Sequence, residues 1–123
     1  MSKQVLDVGN CGPDHATLSK MLMKQYAVEV FKANQIADAL DVLRKETIDL
    51  VLVNRKLDID YSDGLDVIKE IKSQPDLAKI PVMLITNHDS YQAQAVEAGA
   101  EYGFGKLQLN QATTHERLAK FLS

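Results

Sequence analysis

Hydrophobic and polar positions follow two different spacings along the chain. Short apolar runs bounded by polar residues are typical of strands that are buried on both faces. Between these runs, apolar residues recur at three- and four-residue spacing, which indicates amphipathic helices. The clearest run, residues 50–53, ends at a polar residue, Asn54. The pattern predicts strands at Gln4–Val8, Ala27–Phe31, Asp49–Asn54, Ile80–Thr86 and 100–105.

The predicted helices have recognisable ends. Asn34 is expected to cap the second helix, because its side chain can accept hydrogen bonds from the free amides of the first turn. Pro75 is expected to stop the third helix, and Gly99 suits the end of the fourth. The five helices are predicted to begin near Asp14, Asn34, Asp63, Ser90 and Asn110.

Strands and helices alternate along the whole chain, which predicts right-handed crossovers and a parallel sheet covered on both faces. Among doubly wound sheets, the flavodoxin-like order 2-1-3-4-5 suits five strands best. We therefore predict one flavodoxin-like α/β domain over residues 1–123. Its ligand crevice is expected between the first and third strands, and its walls are the loop after Val8, Asn54, Thr86 and Lys106.

Composition and charge exclude several classes of function. The chain of 123 residues is 46% hydrophobic and 25% charged, as in an ordinary globular domain. A net charge of −3 gives no basic field that would attract nucleic acid. The amino terminus has no apolar stretch long enough for a signal peptide or a membrane span. The single Cys11 fits a reducing cytosol and is predicted to be an inert thiol. Together these features lead us to expect a cytoplasmic protein that binds neither nucleic acid nor membrane.

Several motifs occur together at the predicted strand ends. They are DLVLV before Asn54, the pair Asp63-Gly64, IPVMLIT ending in Thr86, the turn 98–100 and Lys106. With these motifs the chain resembles, over nearly its whole length, the receiver domain of bacterial response regulators. The resemblance implies a phosphoacceptor module. In that family, acidic residues after the first strand hold Mg²⁺, an aspartate ends the third strand, and a hydroxyl and a lysine grip the phosphoryl group.

The resemblance places neutral residues where the family has anions. By position, the acidic pair falls on Gly9 and Asn10, and the phosphoacceptor falls on Asn54. An amide is no comparable nucleophile, and Mg²⁺ prefers a site with carboxylate oxygens. We therefore predict no metal, no cofactor and no catalytic residue. What remains is a degenerate phosphoacceptor pocket formed by Gly9, Asn10, Asn54, Thr86 and Lys106.

Two further positions depart from the family pattern. The aromatic residue that reports activation falls on Gly103, and Leu107 replaces the proline that follows the lysine. A cis bond before a residue other than proline costs about 2.5–4 kcal/mol, so we expect a trans bond between Lys106 and Leu107. Without acidic partners, Lys106 is expected to turn to solvent or to hold an anion.

These departures predict a pseudo-receiver that acts by protein–protein interaction with other signalling proteins and is not an enzyme. Tyr91, Tyr102 and Phe104 lie near the face that receivers use for partners, so they are candidate interaction residues. Half-buried packing residues are the alternative, and a homodimer through this face stays open. An alternative function is a small anion or nucleotide sensor that uses the vacated crevice near Lys106.

Some residues near the predicted crevice have no assigned role. Asp7 falls inside the first strand, where a buried carboxylate must find a partner or take up a proton. A strand register shifted by one residue would expose it instead. Cys11 and His15 are too few ligands for a structural zinc site. Residues 9–13, GNCGP, form a weak phosphate-loop pattern, so an anion at the start of the first helix stays an open alternative.

Overall fold

A computed structural model describes residues 2–123. Its strands are β1 (Lys3–Val8), β2 (Val28–Ala33), β3 (Leu50–Asn54), β4 (Val82–Ile85) and β5 (Glu101–Phe104). They pair in parallel in the order β2-β1-β3-β4-β5. The predicted flavodoxin-like α/β fold and its strand order are therefore confirmed.

Five α-helices connect or follow these strands. They are α1 (Gly12–Gln25), α2 (Ile36–Lys45), α3 (Gly64–Ser73), α4 (Asp89–Glu97) and α5 (Ala112–Leu122). Helix α3 begins next to Asp63, as predicted, and the Asp63 carboxylate caps it by accepting from Leu65 N at 2.9 Å. Within residues 2–123, none of the helices is long and apolar enough to cross a membrane.

The start of α2 differs from the prediction. Gln35 directly precedes the helix, and the Asn34 side chain instead accepts from Lys32 Nζ at 2.8 Å. The carboxylate of Asp38 accepts from the backbone amides of Asn34 and Gln35, at 2.8 Å each. The predicted Asn34 cap is wrong, because the helix begins one residue later and Gln35 occupies the N-cap position.

Strand β3 forms the centre of the core. Residues 50–53 are fully buried. Leu50 and Leu52 face the layer that contains α1 and α5, whereas Val51 and Val53 face the layer that contains α2, α3 and α4. Because successive side chains of a strand point to opposite faces, a strand between two helical layers must be apolar throughout.

The last strand pair is irregular. Met83 pairs with Glu101 and Ile85 pairs with Phe104, so β5 holds one more residue than β4 over this stretch. Such a β-bulge changes the face to which the following side chains point. No cis peptide bond occurs in residues 2–123, so the bond between Lys106 and Leu107 is trans, as expected.

Candidate functional site

The five positions of the degenerate phosphoacceptor pocket lie at the carboxyl ends of the strands. Gly9 and Asn10 follow β1, Asn54 ends β3 and Thr86 follows β4. Lys106 begins a 3-10 turn after β5. Because the strands are parallel, these ends meet at one edge of the sheet, where open α/β sheets bind their ligands.

The polar side chains of Asn54 and Thr86 bond to their own loops. Asn54 Nδ2 donates to the carbonyl oxygen of Lys56 at 2.7 Å. Thr86 Oγ1 accepts from the backbone amide of His88 at 3.2 Å. Both contacts are short-range bonds of the kind that asparagine and threonine make in turns. Asn54 therefore helps to fix the start of the loop after β3.

Gly9 lies in a turn that has no room for a side chain. Its φ angle is +85°, a left-handed conformation that residues with a Cβ rarely adopt. A Cβ at this position would overlap Leu57 Cδ2 and lie 3.2 Å from Leu57 Cα. Leu57 is buried, and Asp58 N donates to the Gly9 carbonyl oxygen at 2.8 Å. The loop after β3 thus closes over the position where the family has its first acid.

Asp7 finds two partners. It is fully buried, and alternation along β1 places it with Val5 on the face that α1 covers. Asp7 Oδ1 accepts from Asn10 Nδ2 at 2.6 Å, and His15 Nδ1 lies 2.7 Å from Asp7 Oδ2. Burial raises the pKa of Asp7, although the hydrogen bonds from His15 and Asn10 oppose that rise.

The contacts of Asp7 extend to a serine that the sequence did not connect with it. His15 Nε2 lies 3.4 Å from Ser19 Oγ, so the order is Asp7, His15, Ser19. Hydrolytic triads use this order. Ser19, however, is only 8% exposed and lies inside α1, whose backbone amides bond within the helix. Without a cleft or oxyanion donors at Ser19, these contacts are a structural link between β1 and α1.

Lys106 has an acidic partner. Its Nζ donates to Asp14 Oδ2 at 2.6 Å, and both side chains are about half exposed. This hydrogen bond lowers the pKa of Asp14. The expectation that Lys106 lacks an acidic partner is wrong, because Asp14 in the first turn of α1 reaches it across 92 positions of the chain.

Two of the three candidate interaction residues lie at the surface. Tyr102 is 39% exposed. Its hydroxyl donates to Asp89 Oδ1 at 2.7 Å, and Arg117 Cζ lies 4.5 Å from the centre of its ring. Tyr91 is half-buried, and Arg55 Cζ lies 4.0 Å from the centre of its ring. Both tyrosines are thus held in place by stacked arginines.

Phe104 is not a surface residue. It is fully buried and packs with Leu118 and Leu122 of α5. The prediction that Phe104 belongs to an interaction face is therefore wrong, and the bulge in β5 is the structural reason. Gly103 lies in the same bulge, where an added Cβ would overlap the carbonyl oxygen of Leu84. An aromatic side chain at position 103 does not fit this packing.

Most of the chain is similar to a known protein family. Residues 13–118 match the family described as the response regulator receiver domain. The chain belongs to this family. This receiver domain is therefore part of two-component signalling, as the resemblance to response regulators implied.

One relative of this receiver domain is the transcriptional regulatory protein ZraR of Klebsiella oxytoca. The two are 32% identical over 117 residues, which is 86% of this chain. The chain spans 25% of the length of that relative. The likeness therefore concerns one part of the relative and not the whole protein.

Solved structures share the fold. The signal receiver domain of a DNA binding response regulator protein from Colwellia psychrerythraea 34H is 25% identical, with a TM-score of 0.81 and 96% of each chain covered. The BeF₃-activated N-terminal receiver domain of Klebsiella pneumoniae RstA is 21% identical, with a TM-score of 0.80 and 97% of each chain covered. At that identity, the second likeness shows the fold alone.

The residues of this receiver domain do not fit the Mg²⁺ site of its family. Mg²⁺ requires near-octahedral oxygen ligands and is usually held by one or two carboxylates. Gly9 has no side chain and Leu57 fills the space beside it, while Asn10 and Asn54 carry only neutral amides. Among residues 2–123, no group of three or more His, Cys, Asp or Glu side chains could hold a metal ion.

Proposed function

We propose that this receiver domain is a phosphorylation-independent pseudo-receiver. It acts as a protein–protein interaction module in bacterial signal transduction, in the cytoplasm, and its partners are other signalling proteins. It binds no Mg²⁺, accepts no phosphoryl group and catalyses no reaction. The observation that carries this proposal is the closed position of Gly9.

The packing at Gly9 supports the proposal more strongly than any single missing carboxylate. An acid at this position would need both a strained left-handed backbone and the displacement of Leu57, which is only 1% exposed. One substitution therefore does not restore the first Mg²⁺ ligand. The loop between β3 and α3 would have to move as well.

The chemistry of Asn54 supports the same conclusion. Acyl phosphate formation needs a carboxylate oxygen as the nucleophile, and a neutral amide offers none of comparable reactivity. The Asn54 amide nitrogen is already bonded to the carbonyl oxygen of Lys56. Asn54 thus has a structural role in its loop.

The proposal also assigns no nucleic-acid contact to this domain. The relative from Klebsiella oxytoca is a transcriptional regulatory protein, but this chain spans only 25% of its length. The net charge of −3 provides no basic surface for the phosphate backbone. In that relative, we expect any contact with nucleic acid to lie outside the 25% of its length that this chain spans.

The second candidate function, a small anion or nucleotide sensor near Lys106, has less support. Asp14 neutralises Lys106 at 2.6 Å, and Asp14 also places negative charge in the first turn of α1. Negative charge there opposes an anion at the helix start. The cavity beside Lys106 measures about 120 Å³, whereas sites for drug-sized ligands measure roughly 300–1,000 Å³.

A phosphorylation assay tests the proposal. The purified domain is incubated with acetyl phosphate and Mg²⁺, and intact mass is measured, with a receiver domain that has the acidic residues of the family as positive control. We expect no gain of a phosphoryl group. The Asn54→Asp variant is also expected to stay unmodified, because the carboxylates that would hold Mg²⁺ are still absent. A phosphoryl group on any crevice residue of the wild type contradicts the proposal, and rapid modification of Asn54→Asp contradicts the closed-site argument.

A further inference from the structure

A small cavity opens beside the first turn of α1. Its volume is about 120 Å³. It shares Asn10 and Lys106 with the degenerate phosphoacceptor pocket and extends from there along α1, away from Gly9, Asn54 and Thr86. It is lined by Asn10, Asp14, Thr17, Leu18, Ile85, Lys106 and Leu109.

One lining residue has an unsatisfied acceptor. Asn10 is 2% exposed, and its Oδ1 is buried without a hydrogen-bond partner. The amide cannot turn to relieve this, because the atom that faces the Asp7 carboxylate at 2.6 Å must be the donor nitrogen. Unpartnered acceptors with this degree of burial are rare in native proteins. Asn10 Oδ1 can therefore pair with a donor from outside the chain, either a water molecule or a ligand.

The mouth of the cavity carries one charge of each sign. Asp14 and Lys106 form an ion pair there, with side chains that are 43% and 39% exposed. Pairs with this exposure are weak, since water competes for both partners. A ligand with both charges can therefore exchange with the pair at little cost, whereas a simple anion would leave Asp14 uncompensated.

The remaining walls are mostly apolar. Leu18 and Ile85 are 3% and 2% exposed, and Leu109 packs against the same hydrophobic layer. An apolar cavity with a few polar groups at one end is the usual form of a small-molecule site. The volume limits the occupant to a small molecule and excludes a nucleotide.

We propose that this cavity binds a small aliphatic α-amino acid. Its ammonium group meets Asn10 Oδ1 and Asp14, its carboxylate meets Lys106, and its side chain packs between Leu18 and Ile85. This proposal goes beyond the interaction module, since it adds a chemical input to a domain without phosphorylation. It is also independent, because failure of amino-acid binding leaves the phosphorylation result unchanged.

Three related probes test the proposed chemistry. L-valine, isobutylamine (which lacks the carboxylate) and isovalerate (which lacks the ammonium group) are each titrated into the full chain. Binding is followed by calorimetry and by the NMR signals of the Asn10 side-chain amide. We expect L-valine to bind most tightly, isobutylamine about tenfold more weakly, and isovalerate not measurably. Isovalerate binding as tightly as isobutylamine, or no binding of any probe, overturns the proposal.

Two exposed neighbours on α1 provide a matched pair of variants. Thr17 lines the cavity and Ala16 does not, and both side chains are exposed, so a tryptophan at either position is compatible with folding. Thr17→Trp is expected to abolish L-valine binding, whereas Ala16→Trp retains it. Asp14→Asn is expected to weaken L-valine binding at least tenfold, because the ammonium group loses its carboxylate partner. Equal L-valine affinity of Thr17→Trp and Ala16→Trp overturns the location of the site.

Discussion

Asp7 links the turn after β1 to α1. Its carboxylate orients the Asn10 amide and holds His15 of α1 against β1. Neither partner is needed for the strand itself, whose apolar residues already fill both layers. A buried carboxylate of this kind costs desolvation, which its two hydrogen bonds only partly offset.

The raised pKa of Asp7 predicts a pH dependence of stability. Below its ordinary value of 3.8, the carboxyl is protonated in both the folded and the unfolded protein. Between pH 3.8 and the higher folded pKa, the unfolded protein has lost this proton while the folded protein still holds it, so stability falls as the pH rises through this range. Asp7→Asn keeps an acceptor oxygen for Asn10 and removes this loss, while its amide nitrogen requires an unprotonated Nδ1 on His15. We expect the melting temperature of Asp7→Asn to gain on the wild type as the pH rises from about 4 to 8.

Asp14→Asn is the matched control, with the opposite sign. The hydrogen bond from Lys106 lowers the pKa of Asp14, so its contribution to stability is present at neutral pH and is lost as the pH falls through the folded pKa. The wild type should therefore gain on Asp14→Asn as the pH rises towards 3.8, and the two should stay parallel above it. Melting temperatures of the three proteins across a pH series that begins below 3.8 provide the measurement, and parallel curves for wild type and Asp7→Asn would refute the prediction.

At the scale of elements, the turn after β1 packs against the loop after β3. Leu57 fills the space beside Gly9, and Asp58 N donates to the Gly9 carbonyl oxygen at 2.8 Å. Asn54 fixes the start of the same loop through Lys56. The turn whose acidic residues hold Mg²⁺ in the family is here in direct contact with the loop after β3.

This contact predicts that alanine has different effects at Gly9, which lies in the turn, and at Gly12, where α1 begins. At Gly9, a Cβ meets Leu57 and the left-handed backbone opposes it, so Gly9→Ala should destabilise the domain by about 2–4 kcal/mol. At Gly12, no atom lies within 4 Å of an added Cβ, so Gly12→Ala should change stability by less than about 1 kcal/mol. Urea unfolding of both variants measures the difference. Equal stabilities would show that the turn can open.

At the scale of the whole molecule, the carboxyl edge of the sheet differs from the face that we propose for partners. The carboxyl edge is filled by local hydrogen bonds, by Leu57 and by the pair of Lys106 with Asp14. The face formed by α4, β5 and α5 instead presents Tyr102, with its hydroxyl bonded to Asp89 and its ring under Arg117. A fixed aromatic ring loses little entropy on binding, so it suits a constitutive contact.

Partner binding should therefore depend on Tyr102. Tyr102→Ala is expected to lower affinity for a signalling partner, or for a second copy of the domain, at least tenfold. Tyr61→Ala is the matched control, because Tyr61 is 76% exposed on the loop after β3, away from this face. Quantitative pull-down and sedimentation of the three proteins provide the measurement. Loss of binding in Tyr61→Ala but not in Tyr102→Ala would place the partner on the other face.

Much of the architecture follows from local pattern. The buried run of residues 50–53 placed β3 at the centre, and alternation of strands with helices indicated the sheet order. The start of α3 near Asp63 and the end of α4 before Gly99 were also predicted, and Gly99 has the positive φ of 106° that suits a helix end. The neutral residues at the phosphoacceptor position are likewise visible in the sequence alone.

The contacts that define the candidate site required the tertiary structure. The sequence shows Asp7 but not His15 as its partner, shows Lys106 but not Asp14, and shows Gly9 but not Leu57 beside it. Phe104 was misplaced because a bulge in β5 turns it inward. Hydrophobic period and turn chemistry depend on neighbours in sequence, whereas these pairings depend on register and loop packing between distant segments, which only the folded chain determines.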